Sequence, residues 1–301
     1  MMQHHSLSEH DRTAKAIRID LHTHSNASDG TQQPGELMRV AKAHGLDVIA
    51  LTDHDTTAGW SDAAQAAVEV GIMLVPGIEV STKLGSASVH VLAYLPDPEH
   101  PALIEVMERV RQGRVHRAER IVAALAADFP LTWEDVLAVS EPGATIGRPH
   151  IADALVARGI VPSRSEAFAS VLHVRGKYYV PHESPHPVDA IELIAAAGAV
   201  PVLAHGGSRG AVALNEPVFT KMVAAGLAGV EIRHRENDAH AREQLADYAR
   251  RWDLIVTGSS DYHGAGKPNE LGENTTDPEQ LTRILQAGTG TDAVNSTAVF
   301  G

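Results

Sequence analysis

Short apolar runs, several of them β-branched, recur at Ala16 to Leu21, Val48 to Leu51, Ile72 to Val75, Val89 to Leu95, Val200 to Leu203, Gly229 to Ile232 and Leu254 to Val256. Their length and bounding residues predict buried strands. Between them lie helical patterns at Pro34 to His44, Ala58 to Val70, Pro187 to Ala197 and Ala239 to Trp252, the first with Pro in its opening turn. Alternating β and α units predict a parallel sheet, closed or open, that gathers its reactive groups at the carboxyl ends of the strands. One stretch breaks the rhythm. From roughly Glu99 to Tyr179 the patterns EVMERVRQGRVHRAERIVAALAADF, LTWEDVLAVS and RPHIADALVARG are helical, which predicts a helical insertion between two strands.

The strand ends carry a common chemistry. Near the first run stands Asp20-Leu-His-Thr-His-Ser, where His22 and His24 are two residues apart. In an extended segment such residues face one side, so both imidazoles reach one ion. The second run empties into Thr52-Asp-His54-Asp-Thr, the third is followed by Glu79, and the fourth contains His90. Late in the chain, Val200-Pro-Val-Leu-Ala leads to His205-Gly-Gly, and Leu254-Ile-Val-Thr-Gly-Ser-Ser leads to Asp261-Tyr-His263. Any one of these histidines reads as an ordinary surface or core residue. Their joint placement at strand ends reads as a metal cluster.

Composition narrows the ligand chemistry. Cys is absent while His numbers 18, so disulfides and thiolate sites are excluded and His, Asp and Glu remain as ligands. A formal net charge of -13 repels polyanions at long range, so duplex DNA is not an expected partner. Bound metals would reverse that sign locally, which leaves a small phosphorylated substrate open. No apolar run is long enough to span a membrane, and MMQHHSLSEHDRTAK lacks the apolar core of a signal peptide; a cytoplasmic protein is expected. Residues 1–15, with His4 and His5, are expected to form a flexible tail rather than to contribute ligands.

Taken together, His22-Thr-His24, Thr52-Asp-His54, Glu79, His90, His205 and Asp261-Tyr-His263 resemble the motifs of the polymerase and histidinol phosphatase (PHP) family. The similarity runs from Ile17 to about Gly272. The resemblance implies a distorted (β/α)7 barrel with a helical insertion subdomain, the barrel spanning residues 16–98 and 180–301 and the insertion residues 99–179. It also implies two or three divalent metal ions. Carried over by position, His22, His24, Glu79 and Asp261 hold the first ion, and Glu79, His90 and His205 the second. Asp29, His54 and His263 hold the third, and Glu79 bridges two ions. Mixed imidazole and carboxylate ligands suit Mn2+, Fe2+ or Zn2+ better than Ca2+ or Mg2+ alone, and of these Mn2+ is the expected ion. Asp20, Asp53 and Asp55 flank the ligands and are expected either to orient imidazoles or to cap turns.

The resemblance further implies a metal-dependent phosphoesterase, with Glu79, His205 and Asp261 at its catalytic centre and a metal-activated water as nucleophile. The absence of Cys and of a Gly-x-Ser-x-Gly elbow argues against covalent thiol or serine chemistry. Arg148 and His150 at the start of a predicted helix, Lys177 ahead of a predicted strand, and Arg209 after His205 are the expected substrate contacts. Arg209 lies in His205-Gly-Gly-Ser-Arg, a departure from relatives in which Pro often follows the His. Small nucleotides, foremost 3',5'-nucleoside bisphosphates, are the implied substrates. The competing readings are a 5'-to-3' exoribonuclease on short RNA, a histidinol phosphatase, a noncatalytic metal-stabilised module, and a binding regulator that uses the cluster only for structure.

Overall fold

The computed structural model describes residues 16–181, 183–208 and 211–300. The expected tail and Arg209 lie outside the described residues. In chain order the elements are β1 (Ile19–Asp20), α1 (Pro34–Ala43), β2 (Val48–Leu51), α2 (Trp60–Val70), β3 (Met73–Leu84), β4 (Ala87–Tyr94), α3 (Pro101–Leu125), α4 (Trp133–Ala138), α5 (Arg148–Ala157) and α6 (Arg164–Ala169). There follow α7 (Pro187–Ala196), β5 (Val200–Leu203), α8 (Glu216–Ala224), β6 (Gly229–Arg233), α9 (Ala239–Arg251), β7 (Ile255–Gly258), α10 (Pro278–Ala287) and α11 (Thr297–Phe300).

The strands form one seven-stranded sheet in sequence order. β1, β2 and β3 are parallel, as are β5, β6 and β7. The expected parallel sheet is departed from at β4, which runs antiparallel to both β3 and β5. Leu84 pairs with Ala87, leaving Gly85 and Ser86 as a two-residue hairpin loop. Gly85 has φ 60°, a backbone region that Gly enters without Cβ strain. The ends of the sheet approach each other: Thr23 bridges Tyr262, His24 N donates to Tyr262 O at 2.9 Å, and Thr276 N donates to Ile19 O at 2.9 Å. The result is a nearly closed, distorted (β/α)7-type barrel.

Alternation along the strands sorts the core. Val48 and Ala50 face the barrel interior with Leu21, Val75, Leu92, Tyr94 and Val202, while Ile49 and Leu51 face outward onto α1 and α2, as a period of two requires. A third apolar cluster packs α7, α8 and α9 against the other side. The α3–α6 segment encloses its own cluster around Ile121, Leu125, Ile151 and Leu155. No strand follows Tyr179 among the described residues before β5; α7 comes first. No described helix is long and apolar enough to cross a membrane.

Candidate metal centre

The strand ends converge on Glu79. Its Oε2 lies 3.2 Å from His22 Nε2, 3.0 Å from His24 Nε2 and 3.3 Å from His54 Nδ1. Its Oε1 lies 2.6 Å from His90 Nδ1 and 3.0 Å from His205 Nε2. One carboxylate thus presents its oxygens to separate sets of imidazoles, the disposition that a bridging ligand needs. Asp261 Oδ1 completes the first set at 3.6 Å from His22 Nε2 and 3.4 Å from His24 Nε2. On the far side of His24 and His54, Asp29 Oδ1 lies 3.8 Å from His24 Nδ1 and 3.2 Å from His263 Nε2. Asp29 Oδ2 lies 3.9 Å from His54 Nε2.

The potential ligand atoms fall into groups within 4.8 Å of one another: His22, His24, Glu79 and Asp261; His24, Asp29 and His54; and His54, Glu79 and His90. All these residues are buried. The partition differs from the expected one because His24 and His54 each turn one ring nitrogen toward Glu79 and the other toward Asp29. The geometry therefore lets both rings serve neighbouring positions.

Hydrogen bonding prepares the set for cations. Glu231 Oε1 lies 3.1 Å from His22 Nδ1, so an Nδ1–H donated there leaves the Nε2 lone pair facing the cluster. His263 Nδ1 donates to Asp261 O at 2.8 Å, which likewise leaves Nε2 facing Asp29. This coupling of a ligand imidazole to an outer acceptor is the arrangement that fixes tautomers in metal sites. His24 Nδ1, His54 Nδ1 and His263 Nε2 are buried and make no hydrogen bond among the described residues, and His22 Nε2 and His24 Nε2 are only 3.1 Å apart. Buried polar atoms ordinarily find partners. Divalent ions between nitrogen and carboxylate ligands would satisfy them, so the residues fit the implied metals.

Electrostatics among these side chains follow the same contacts. Burial opposes the charged forms of Glu79, Asp29 and Asp261, but the facing imidazoles, and Lys267 for Asp261, hold all three well below the usual carboxylate range. Burial likewise opposes charge on Glu231, yet His22 and His234 bring it down to about 2. Burial disfavours the His24 cation, but the hydrogen bonds it donates to Asp261 and Glu79 raise its pKa to about 9. The backbone is strained here too: His205 and Asp261 have φ of 30° and 55°, and Asp55 has φ 54°, left-handed values that cost free energy in residues bearing a Cβ.

Asp20, Asp53 and Asp55 brace loops, one of the two roles expected for them, and none hydrogen-bonds an imidazole among the described residues. Asp20 accepts from Ser260 N at 3.0 Å and Gly272 N at 2.8 Å. Asp53 accepts from Ser25 N at 2.8 Å and Ser28 Oγ at 2.6 Å. Asp55 accepts from Ser81 N at 2.8 Å. Lys177 is exposed and pairs with Asp128 at 2.5 Å, beyond the end of α3, and is not brought to the cluster. Arg148 donates to Leu172 O at 3.3 Å and packs over the Phe168 ring, contacts within the helical segment. His150 is buried; its Nδ1 accepts from Gly147 N at 3.1 Å, and desolvation lowers its pKa, so it stands as a neutral ring.

Other residues escaped sequence reasoning. Glu231 lies in a predicted strand, and a carboxylate within an apolar run was the available signal. The sheet register shifts between Glu231 and Arg233. His234 follows immediately, with its Nε2 3.6 Å from Asp261 Oδ2. Lys267 Nζ lies 2.6 Å from that same oxygen, so Asp261 gives one oxygen to the cluster and the other to cations behind it. Arg111 Nη1 donates to Asp55 O at 2.9 Å at the rim of a groove of about 880 Å³ between α3 and the loops around Ile146 and Glu183.

Comparison with known proteins agrees with this geometry. The PHP domain family model matches residues 20–127. A 3',5'-nucleoside bisphosphate phosphatase from Chromobacterium violaceum is 34% identical over 270 residues, covering 89% of this chain and 94% of the relative. A 5'-3' exoribonuclease from Haemophilus influenzae is also 34% identical, covering 85% and 94%. A crystal structure from Bifidobacterium adolescentis, assigned as a metal-dependent phosphoesterase, superposes with a TM-score of 0.89 at 44% identity and covers 91% of this chain and 97% of that one. Barrel, histidine–carboxylate cluster and near full-length similarity agree, and the chain belongs to the PHP domain family of metal-dependent phosphoesterases.

Proposed function

We propose that this enzyme hydrolyses a phosphate monoester of a 3',5'-nucleoside bisphosphate, using a cluster formed by His22, His24, Asp29, His54, Glu79, His90, His205, Asp261 and His263. The observation that carries the reading is the division of the Glu79 oxygens between His22, His24 and His54 on one side and His90 and His205 on the other. Bound divalent ions, Mn2+ in this reading, would bring the pKa of water toward neutrality and offset the negative charge of a phosphate. Glu79, Asp261 and His205 form the catalytic centre. Glu231 keeps His22 in its ligating tautomer, and Lys267 neutralises the outer oxygen of Asp261. The buried walls around these groups exclude bulk water, which strengthens each interaction with a phosphate.

The barrel, residues 16–98 and 180–301, holds the cluster in this reading, and the insertion, residues 99–179, walls the substrate. The groove beside α3 has room for a nucleoside. The relative named as a nucleoside bisphosphate phosphatase supports the substrate class. A second reading, trimming of short RNA from its 5' end, is favoured by the equal identity to the exoribonuclease.

Steady-state kinetics on adenosine 3',5'-bisphosphate, adenosine 5'-monophosphate, a short 5'-phosphorylated RNA and histidinol phosphate test the proposal. An ionic hydrogen bond to a second phosphate contributes about 1.5–3 kcal/mol, so kcat/KM for the bisphosphate should exceed that for the monophosphate by about tenfold or more. Preference for RNA would move the reading to an exoribonuclease. Preference for histidinol phosphate would reject the nucleotide class.

A further inference from the structure

The loop carrying Asp29 is gripped by residues of the α3–α6 segment. Thr145 N donates to Ala27 O at 3.1 Å, and Arg164 Nη1 donates to Asp29 O at 3.0 Å. Arg164 begins α6 and its side chain is only 11% exposed. Its Nε donates to Asp153 Oδ1 at 2.7 Å, and Nη2 pairs with the other oxygen of the same carboxylate, a forked geometry that fixes the guanidinium plane.

The same guanidinium lies against Gly266, where an added Cβ would come within 2.1 Å of Arg164 Nη1. Gly266 ends the 3-10 turn Gly264–Gly266, whose preceding residue is His263. Arg164 therefore touches both segments that deliver the facing pair Asp29 Oδ1 and His263 Nε2, 3.2 Å apart. Neither Asp29 nor His263 lies in a strand; backbone bonds such as Gly30 N to Ser25 O at 2.9 Å and Gly266 N to His263 O at 3.2 Å shape their turns, and Arg164 adds a side-chain contact to both. Glu79, His90 and His205 have no contact with Arg164 and are carried by, or follow directly on, the laddered strands β3, β4 and β5.

We infer that Arg164 is a positioning residue for the ion nearest Asp29 and His263, so that docking of α5 and α6 on the barrel sets the affinity of this one position. The inference rests on the reading of the cluster as a three-ion site. It gives the insertion a role in metal loading beside its proposed role as a substrate wall. Because coupling free energies are reciprocal, filling this position must in turn favour the docked insertion.

Metal content after Mn2+ reconstitution and desalting, by plasma mass spectrometry, tests it on the full chain. Loss of an outer partner typically weakens a metal site by about 10–100-fold, so Arg164→Ala should retain about one ion fewer than wild type. Gly266→Ala should show the same selective loss, since it displaces the guanidinium while leaving the charge and the α5–α6 fork residues in the sequence. Arg164→Lys keeps a donor for the Asp29 carbonyl and should fall between. Full wild-type occupancy in both alanine variants, or loss of all ions together in both, would overturn the role of Arg164. A wild-type chain that never takes up a third ion would instead overturn the three-ion reading and this inference with it.

Discussion

His24 shows how much of the site's chemistry rests on single protons. Its imidazole is buried, which disfavours the cation, yet the hydrogen bonds it donates to Asp261 and Glu79 raise its pKa to about 9. A histidine ligates only when its coordinating nitrogen has lost its proton, so ions must displace one from His24 at neutral pH. The sign follows directly: apparent metal affinity should rise with pH until about pH 9, by about tenfold per unit for each proton released. The folded, metal-free chain responds in the opposite direction. A raised histidine pKa contributes stability that is full below the unfolded value of about 6.5 and is lost as pH climbs through about 9. Calorimetric Mn2+ titrations at pH 7.5 in buffers of different ionisation enthalpy will read the released proton. Heats independent of the buffer would show that His24 is already neutral.

At the scale of elements, α3 is fastened to the barrel by Arg111 and Arg114, while Arg117 ties it to Val180, which packs on the helical segment's own cluster. Arg111 reaches Asp55 O at 2.9 Å, Arg114 Nε lies 3.2 Å from Asp55 Oδ2, and Arg117 Nε donates to Val180 O at 2.6 Å. Arg114 also donates to Ser81 Oγ. Arg111 and Arg114, three apart, share a helix face, so these two anchors set how α3 lies against the barrel. Asp55 is fully buried. Arg114→Ala would leave its carboxylate without its cation, and loss of one partner of a buried pair costs about 3 kcal/mol or more. Urea unfolding should show that loss; a midpoint equal to wild type would mean that the pair contributes nothing. The elements were largely legible in the sequence, since apolar runs and helical periods reproduce the order of strands and helices. The reversed direction of β4 was not read, although Gly85-Ser86 between two β-branched runs is a two-residue hairpin signal. Most ligand candidates were legible because they lie within or shortly after strands: Glu79 in β3 and His90 in β4, with His54, His205 and Asp261 just beyond β2, β5 and β7. Their supports were not. Arg164 meets Asp29 across 135 positions and Lys177 meets Asp128 across 49, and no local spacing encodes either meeting. Lys177 beside Tyr178 and Tyr179 has the composition of a phosphate contact, but Asp128 claims it.

For the whole molecule, the question is whether the metals hold the fold together or only equip it. The barrel is framed by laddered strands and by apolar clusters that contain none of the candidate ligands, so the metal-free chain should remain folded. The cluster nevertheless exists only when strands from both ends of the chain meet, which means that ions bind the folded state and have no equivalent site in the unfolded one. Such a ligand stabilises by RT ln(1 + [L]/Kd), about 4 kcal/mol for one ion at a thousandfold excess over Kd. In a chain of 301 residues, 1 kcal/mol moves Tm by about 2 °C, so each Mn2+ bound at that excess should raise Tm by roughly 8 °C over protein treated with chelator. Scanning calorimetry reads the shift, circular dichroism reports whether the chelated chain keeps its secondary structure, and phosphate release reports activity. The expected pattern is a folded chelated protein with lower Tm and no turnover, restored by Mn2+. Unfolding on chelation would assign the ions a structural role, and an unchanged Tm would show that the cluster does not take up Mn2+.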